Sequence, residues 1–76
     1  MIIGVPKEIK NNEFRVGLTP DSVKILVAHG QRLKVEAGAG LGIGASDIEY
    51  VEAGAEVVSS VGRIFMDSDL IIKVKE

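Results

Sequence analysis

Apolar residues along the chain fall into two alternating kinds of grouping. Short β-branched runs, such as "IIGV" and "DLIIKV", are separated by stretches where apolar residues recur every three or four positions. The first kind predicts strands and the second helices. "IIGV", Ile2 to Val5, closed by Pro6, is a buried first strand. "TPDSVKILVAHG" then carries a full set of helix signals. Thr19 is the N-cap, Pro20 fits the first helical position, Asp21 suits the positive end of the dipole, and Gly30 supplies a left-handed stop. Val23, Leu26 and Val27 share the inward face of that helix. "RLKVEA" is a second strand, with Leu33 and Val35 on one face and charges on the other.

The second half repeats the alternation with weaker elements. In "SDIEYVEAG", Ser46 and Glu49 have capping-box spacing, Ile48 and Val51 are expected to face inward, and Gly54 ends the helix. "AEVVS" is a third strand. "SVGRIFMDS" is a weaker helix, because Gly62 costs it about 1 kcal/mol relative to alanine. "DLIIKV" is a fourth strand, whose unbroken apolar run predicts burial on both faces. The order βαβαβαβ defines an α/β domain: a parallel sheet with flanking helices and right-handed crossovers, part of a Rossmann-like substrate domain. With 76 residues there is room for one small domain, which buries about 60% of its unfolded surface.

One stretch tests that reading. "EAGAGLGIGAS" places glycines at alternate positions from Gly38 to Gly44, after a strand. Gly40, Gly42 and Ala45 satisfy the letters G-x-G-x-x-A of a dinucleotide loop. The context disagrees. The next helix is short, its N-terminus is capped by Ser46, and Asp47 and Glu49 would repel a phosphate there. The following strand ends in "VVSS", without the acid that would hold a ribose. These glycines are expected to permit positive φ angles and close backbone approach, not to bind a cofactor.

Composition narrows the function classes. The chain is 46% hydrophobic and 26% charged, with a net charge of −2 and 4% aromatic residues. Basic residues are scattered from Lys7 to Lys75, so neither a charged stripe nor a stacking platform for nucleic acid is present. There is no cysteine, and His29 is the single histidine. A disulfide framework, a thiolate site and a histidine cluster are therefore excluded, and no metal site is expected. "MIIGVPKEIK" lacks the apolar core of a signal peptide, and no run approaches the roughly 20 apolar residues of a membrane helix. A cytoplasmic location without a membrane partner is the expectation. The end, "DLIIKVKE", leaves an apolar strand without the crossover helix that normally follows, as in a piece of something longer.

Candidate chemistry gathers in "GVPKEIKNNEFRVGLTP", Gly4 to Pro20, which leaves the carboxyl end of the first strand. Open α/β sheets place ligands at that edge. Arg15, between Phe14 and Val16, offers a planar fork suited to a carboxylate; a salt bridge to Glu13 or Glu8 is the simpler alternative. Lys73 and Lys75 leave the fourth strand at the same edge. They are either solvated strand-end lysines or partners of Arg15 around a small oxo-acid or amino acid.

At these residues the sequence resembles the amino-terminal part of the alanine dehydrogenases and the related transhydrogenase α subunits. "GVPKEIKNNEFRVGLTP", "GAGLGIGASDIEYVEAGAEVV" and "DLIIKVKE" carry the resemblance over essentially all 76 residues. "NNEFRV" together with "KVKE" is more similar to alanine dehydrogenase. The resemblance implies that Arg15 binds the substrate carboxylate and Lys75 contacts the keto oxygen of pyruvate. It implies reversible oxidative deamination of L-alanine to pyruvate and ammonia with NAD, in a homo-oligomer, typically a hexamer. The family's catalytic histidine and aspartate and its NAD-binding domain are then expected beyond Glu76. Residues 1–76 would be the amino-terminal part of the substrate domain, with no catalytic residue and no dehydrogenase activity alone. His29, at a helix C-terminus, does not match the catalytic motif. A transhydrogenase α-subunit segment and a non-catalytic interaction module, using the open edge of the last strand, are the alternatives.

Overall fold

The strand nearest the amino terminus lies inside the sheet, between two strands made much later in the chain. The computed structural model describes residues 1–7 and 16–72. Its elements are β1 (Ile2–Val5), α1 (Pro20–Ala28), β2 (Arg32–Glu36), a 3-10 turn (Leu41–Ile43), α2 (Asp47–Glu52), β3 (Glu56–Val58), α3 (Val61–Asp67) and β4 (Leu70–Ile71). The four strands form one sheet in the order β3-β2-β1-β4. All three pairings are parallel, with Ile3 opposite Leu33 on one side and Leu70 on the other. This is the expected α/β class.

Two-residue periodicity sorts the strands' side chains onto two faces. Ile3, Val5, Leu33 and Val35 are buried with Val23 of α1 and Tyr50 of α2 in the main core. The opposite face is covered by α3, where Ile64 is fully buried and approaches Gly4 together with Ser68. The helix ends follow their sequence signals. The Thr19 side chain accepts from the Ser22 N–H at 3.2 Å, and Gly30 and Gly54 have φ of +88° and +106°. The Ser46–Glu49 capping box is complete.

Two expectations fail. Ile48 and Val51 do not face inward; they are 68% and 55% exposed, while Tyr50 between them is 0% exposed. With only six residues, α2 has too few turns for periodicity to choose a face. The larger Tyr50 takes the inward position, where Gly40 and Ala45 leave room for its ring. Nor is the apolar run of β4 buried on both faces, since Leu70 is 45% exposed. The strand is at the sheet edge, beside β1 only.

Under α3 lies an ion pair that the alternating pattern of β2 places there. The Lys34 ammonium reaches Asp67 Oδ2 at 3.1 Å, with Arg63 Nε at 3.7 Å. Lys34's hydrogen bond and charge, with a smaller contribution from Arg63, hold the Asp67 carboxyl below its ordinary value. A lowered carboxyl pKa gives stability that is present above the unfolded value, about pH 4, and is lost as pH falls through the folded one. Acid unfolding is therefore expected to be less steep below about pH 4 in Asp67→Asn than in the unaltered protein. Urea midpoints measured from neutral to acidic pH check this, and parallel curves would refute it.

Candidate functional site at the carboxyl edge of the sheet

In a parallel sheet every strand delivers its following connection to the same edge. Here β1 and β4 are hydrogen-bonded neighbours, with Gly4 opposite Ile71 and the Ile72 N–H donating to the Gly4 carbonyl at 2.9 Å. The described carboxyl ends of β1 and β4 thus lie side by side at that edge. Arg15 and Lys75 follow them in sequence, and both lie outside the described residues, as do Glu8, Glu13 and Lys73.

What the structure does describe is the framework around that edge. The Lys7 backbone N–H donates to Glu36 Oε1 at 2.7 Å, tying the exit of β1 to the last residue of β2. Gly38 N–H donates to Asp47 Oδ1 at 2.8 Å, so the glycine connection is fastened to the first turn of α2. The Tyr50 hydroxyl donates to the Leu18 carbonyl at 2.8 Å, tying α2 to the approach to α1. Burial, with smaller contributions from the Glu49 and Asp47 carboxylates, pushes the phenol's pKa up, which favours the neutral donor this bond needs. Sequence reasoning passed over Glu36 and Tyr50. No periodicity marks either residue, because the six-residue α2 has too few turns to fix a face and both bonds go to distant backbone.

The glycine connection fits a bend and does not fit a dinucleotide. Gly38 and Gly44 have positive φ, +83° and +78°. The connection runs into a 3-10 turn, and α2 begins with its own capping box and with Asp47 and Glu49 in the first turn. The Ser46 and Glu49 N–H groups at the start of α2 are used within the capping box, next to the Asp47 and Glu49 carboxylates.

A cleft of about 230 Å³ between α1 and α2 is lined, among the described residues, by Asp21, Glu49 and Glu52 with Lys24 as the one cation, so it disfavours an anion. His29 uses Nδ1 on the Ile25 carbonyl at 2.8 Å. Among the described residues no group of three acidic, histidine or cysteine side chains could hold a metal, and no helix is long and apolar enough to cross a membrane.

Parallel strands, helices on both faces and connections gathered at one edge define an α/β domain of the Rossmann-like type. Residues 4–76 match the family model described as "Alanine dehydrogenase/PNT, N-terminal domain", and the chain belongs to that family. The alanine dehydrogenases of Methanococcus maripaludis and Bacillus subtilis strain 168 are each 53% identical over 76 residues, all of this chain and 20% of theirs. A solved L-alanine dehydrogenase superposes with a TM-score of 0.95 at 53% identity, over all of this chain and 21% of its own. A transhydrogenase from Sinorhizobium meliloti gives 0.86 at 41% identity, over 96% of this chain and 20% of that one. The chain thus spans about a fifth of the length of the curated relatives it matches.

Proposed function

We propose that this chain is the amino-terminal segment of an NAD-dependent L-alanine dehydrogenase and contributes the cations that bind L-alanine and pyruvate. The observation that supports the reading is the parallel β1–β4 pairing, which sets the carboxyl ends of those two strands side by side; Arg15 and Lys75 follow them in sequence. In this reading the Arg15 guanidinium grips the substrate carboxylate in a two-pronged hydrogen bond. The Lys75 ammonium meets the oxygen of the keto group and stabilises charge that develops there. Each charge-assisted bond contributes about 1.5–3 kcal/mol.

The described glycine connection does not fit NAD, and in this reading the cofactor and the catalytic acid–base group belong to parts of a homo-oligomeric protein beyond these residues. Residues 1–76 alone are expected to form no NADH. The protein is assigned to the cytoplasm.

A second reading, a transhydrogenase α-subunit segment, is favoured by the 41% identical Sinorhizobium meliloti protein. The deciding experiment assays the full-length protein for NADH formation from L-alanine and NAD, and for hydride exchange between NADH and NADP. Alanine-dependent NADH formation is expected. Exchange without it would replace the first reading by the second.

A further inference from the structure

We propose that α3 and β4 form a strap that opens and closes as one unit over β1, with Asp67 and Asp69 as the clips that hold it shut. Burial in this domain is lopsided. Ile3, Val5, Val23, Leu33, Val35 and Tyr50 belong to one buried cluster on the α1 and α2 side of the sheet. On the other side α3 brings one fully buried side chain, Ile64, while its Val61, Phe65 and Met66 stay exposed. β4 pairs with β1 through Leu70 and Ile71, and Ile72, just after it, meets the main cluster only partly buried. Little apolar surface holds the strap, so its polar contacts carry more of the closure.

Those contacts are long-range. The Lys34 ammonium of β2 donates to Asp67 Oδ2 at 3.1 Å. The Ile2 N–H of β1 donates to Asp69 Oδ2 at 2.8 Å, and the Asp69 N–H returns a bond to the Ile2 carbonyl at 2.7 Å. The two carboxylates thus fasten the strap to strands made 33 and 67 residues earlier. Within the strap, Ser60 caps α3, and Arg63 lies 3.7 Å from Asp67 one turn on. Ser59 and Ser60, exposed and outside any helix or strand, are the hinge to β3.

The closed position also carries a cost. Ile64 and Ser68 fill the hollow that Gly4 leaves, where a Cβ would stand 2.9 Å from Ile64 Cγ2 and from Ser68 Cβ. There the Ser68 hydroxyl oxygen is buried without a hydrogen-bond partner among the described residues. An unpaired buried hydroxyl favours the state in which water reaches it. Opening hydrates Ser68 and bares one flank of β1 with its N–H and C=O groups. Few buried side chains, polar clips and an unsatisfied hydroxyl place the strap at the low-stability end of the fold.

Hydrogen exchange of the full-length protein, read peptide by peptide in mild urea, tests the proposal. The protected amides of α3 and β4 are expected to exchange together, about tenfold or more faster than those of α1 and β2, with a smaller urea dependence. Asp67→Ala and Asp69→Ala are each expected to speed the strap by about tenfold and to leave α1 and β2 within about twofold. Asp69→Asn, which keeps an acceptor for the Ile2 N–H, is expected to restore most of the protection. Ser68→Ala acts in the opposite direction: removing the unpaired hydroxyl is expected to slow exchange in the strap by about threefold. Equal rates and equal urea dependence in the two parts would overturn the proposal, as would Asp69→Ala accelerating both parts alike. If the strap exchanges fast but neither Asp69→Ala nor Ser68→Ala alters its rate, the carboxylates are not its clips and the proposal fails.

Discussion

Gly40→Ala is expected to destabilise the protein by about 3 kcal/mol, the upper end of the usual cost of overpacking a core. Dihedral strain is not the cause, because Gly40 has φ −95°, which any residue adopts. The cause is space. A Cβ at position 40 would stand 2.6 Å from Tyr50 Cε2, 2.8 Å from the Ala45 carbonyl oxygen and 2.9 Å from Ala45 Cβ. The Tyr50 ring is fully buried and held at its far end by Leu18, so it cannot swing aside without giving up that bond. Gly44 is the matched control. Its φ is +78° and nothing lies within 4 Å of a Cβ there, so Gly44→Ala is expected to cost only about 1 kcal/mol through backbone conformation. Urea denaturation of the two variants should separate them clearly. Equal midpoints would mean that the ring relocates at little cost.

Arg15→Ala is expected to lower kcat/KM for L-alanine and pyruvate in the full-length protein by about 10²–10³-fold. That is the consequence of removing a charged, two-pronged partner from a carboxylate, at about 2–5 kcal/mol. Lys75→Ala is expected to act more on kcat, because its partner oxygen gains charge during the reaction. If both variants keep the kinetics of the unaltered protein, these residues do not form the substrate site. Partial rescue of Arg15→Ala by free guanidine would point to the lost cation itself.

Much of the fold was legible because its signals are local. Thr19–Pro20, Gly30, the Ser46–Glu49 box and Gly54 each mark an element end through backbone chemistry that needs no tertiary partner. The alternation in "RLKVE" likewise sorted Leu33 and Val35 from Lys34. The inward face of α2 was not legible, because three candidates within one and a half turns differ only in what lies opposite them. That is set by Gly40 and Ala45, which come earlier in the chain. Sheet order was likewise hidden in β4: three apolar residues look alike at an edge and in the centre. As for the candidate site, the shared edge of β1 and β4 was legible from the strand–helix alternation, whereas Arg15 and Lys75 lie outside the described residues. The grips of Glu36 on Lys7 and Tyr50 on Leu18 were not legible, since bonds to a distant backbone leave no periodicity.

The central place of β1 also has a consequence for how the protein is made. Residues 2–5 leave the ribosome well before the strand that completes their sheet, since one flank of β1 is matched by Leu70 and Ile71. The Ile2 N–H finds its acceptor in Asp69, 67 residues later. Until that point in synthesis β1 can pair with β2 alone, and one row of its amide and carbonyl groups stays open to other chains. Closing so long a span adds chain entropy that short-range pairs avoid. Leu70 and Ile71, shortly before Lys75 in sequence, therefore complete the sheet that the first strand began.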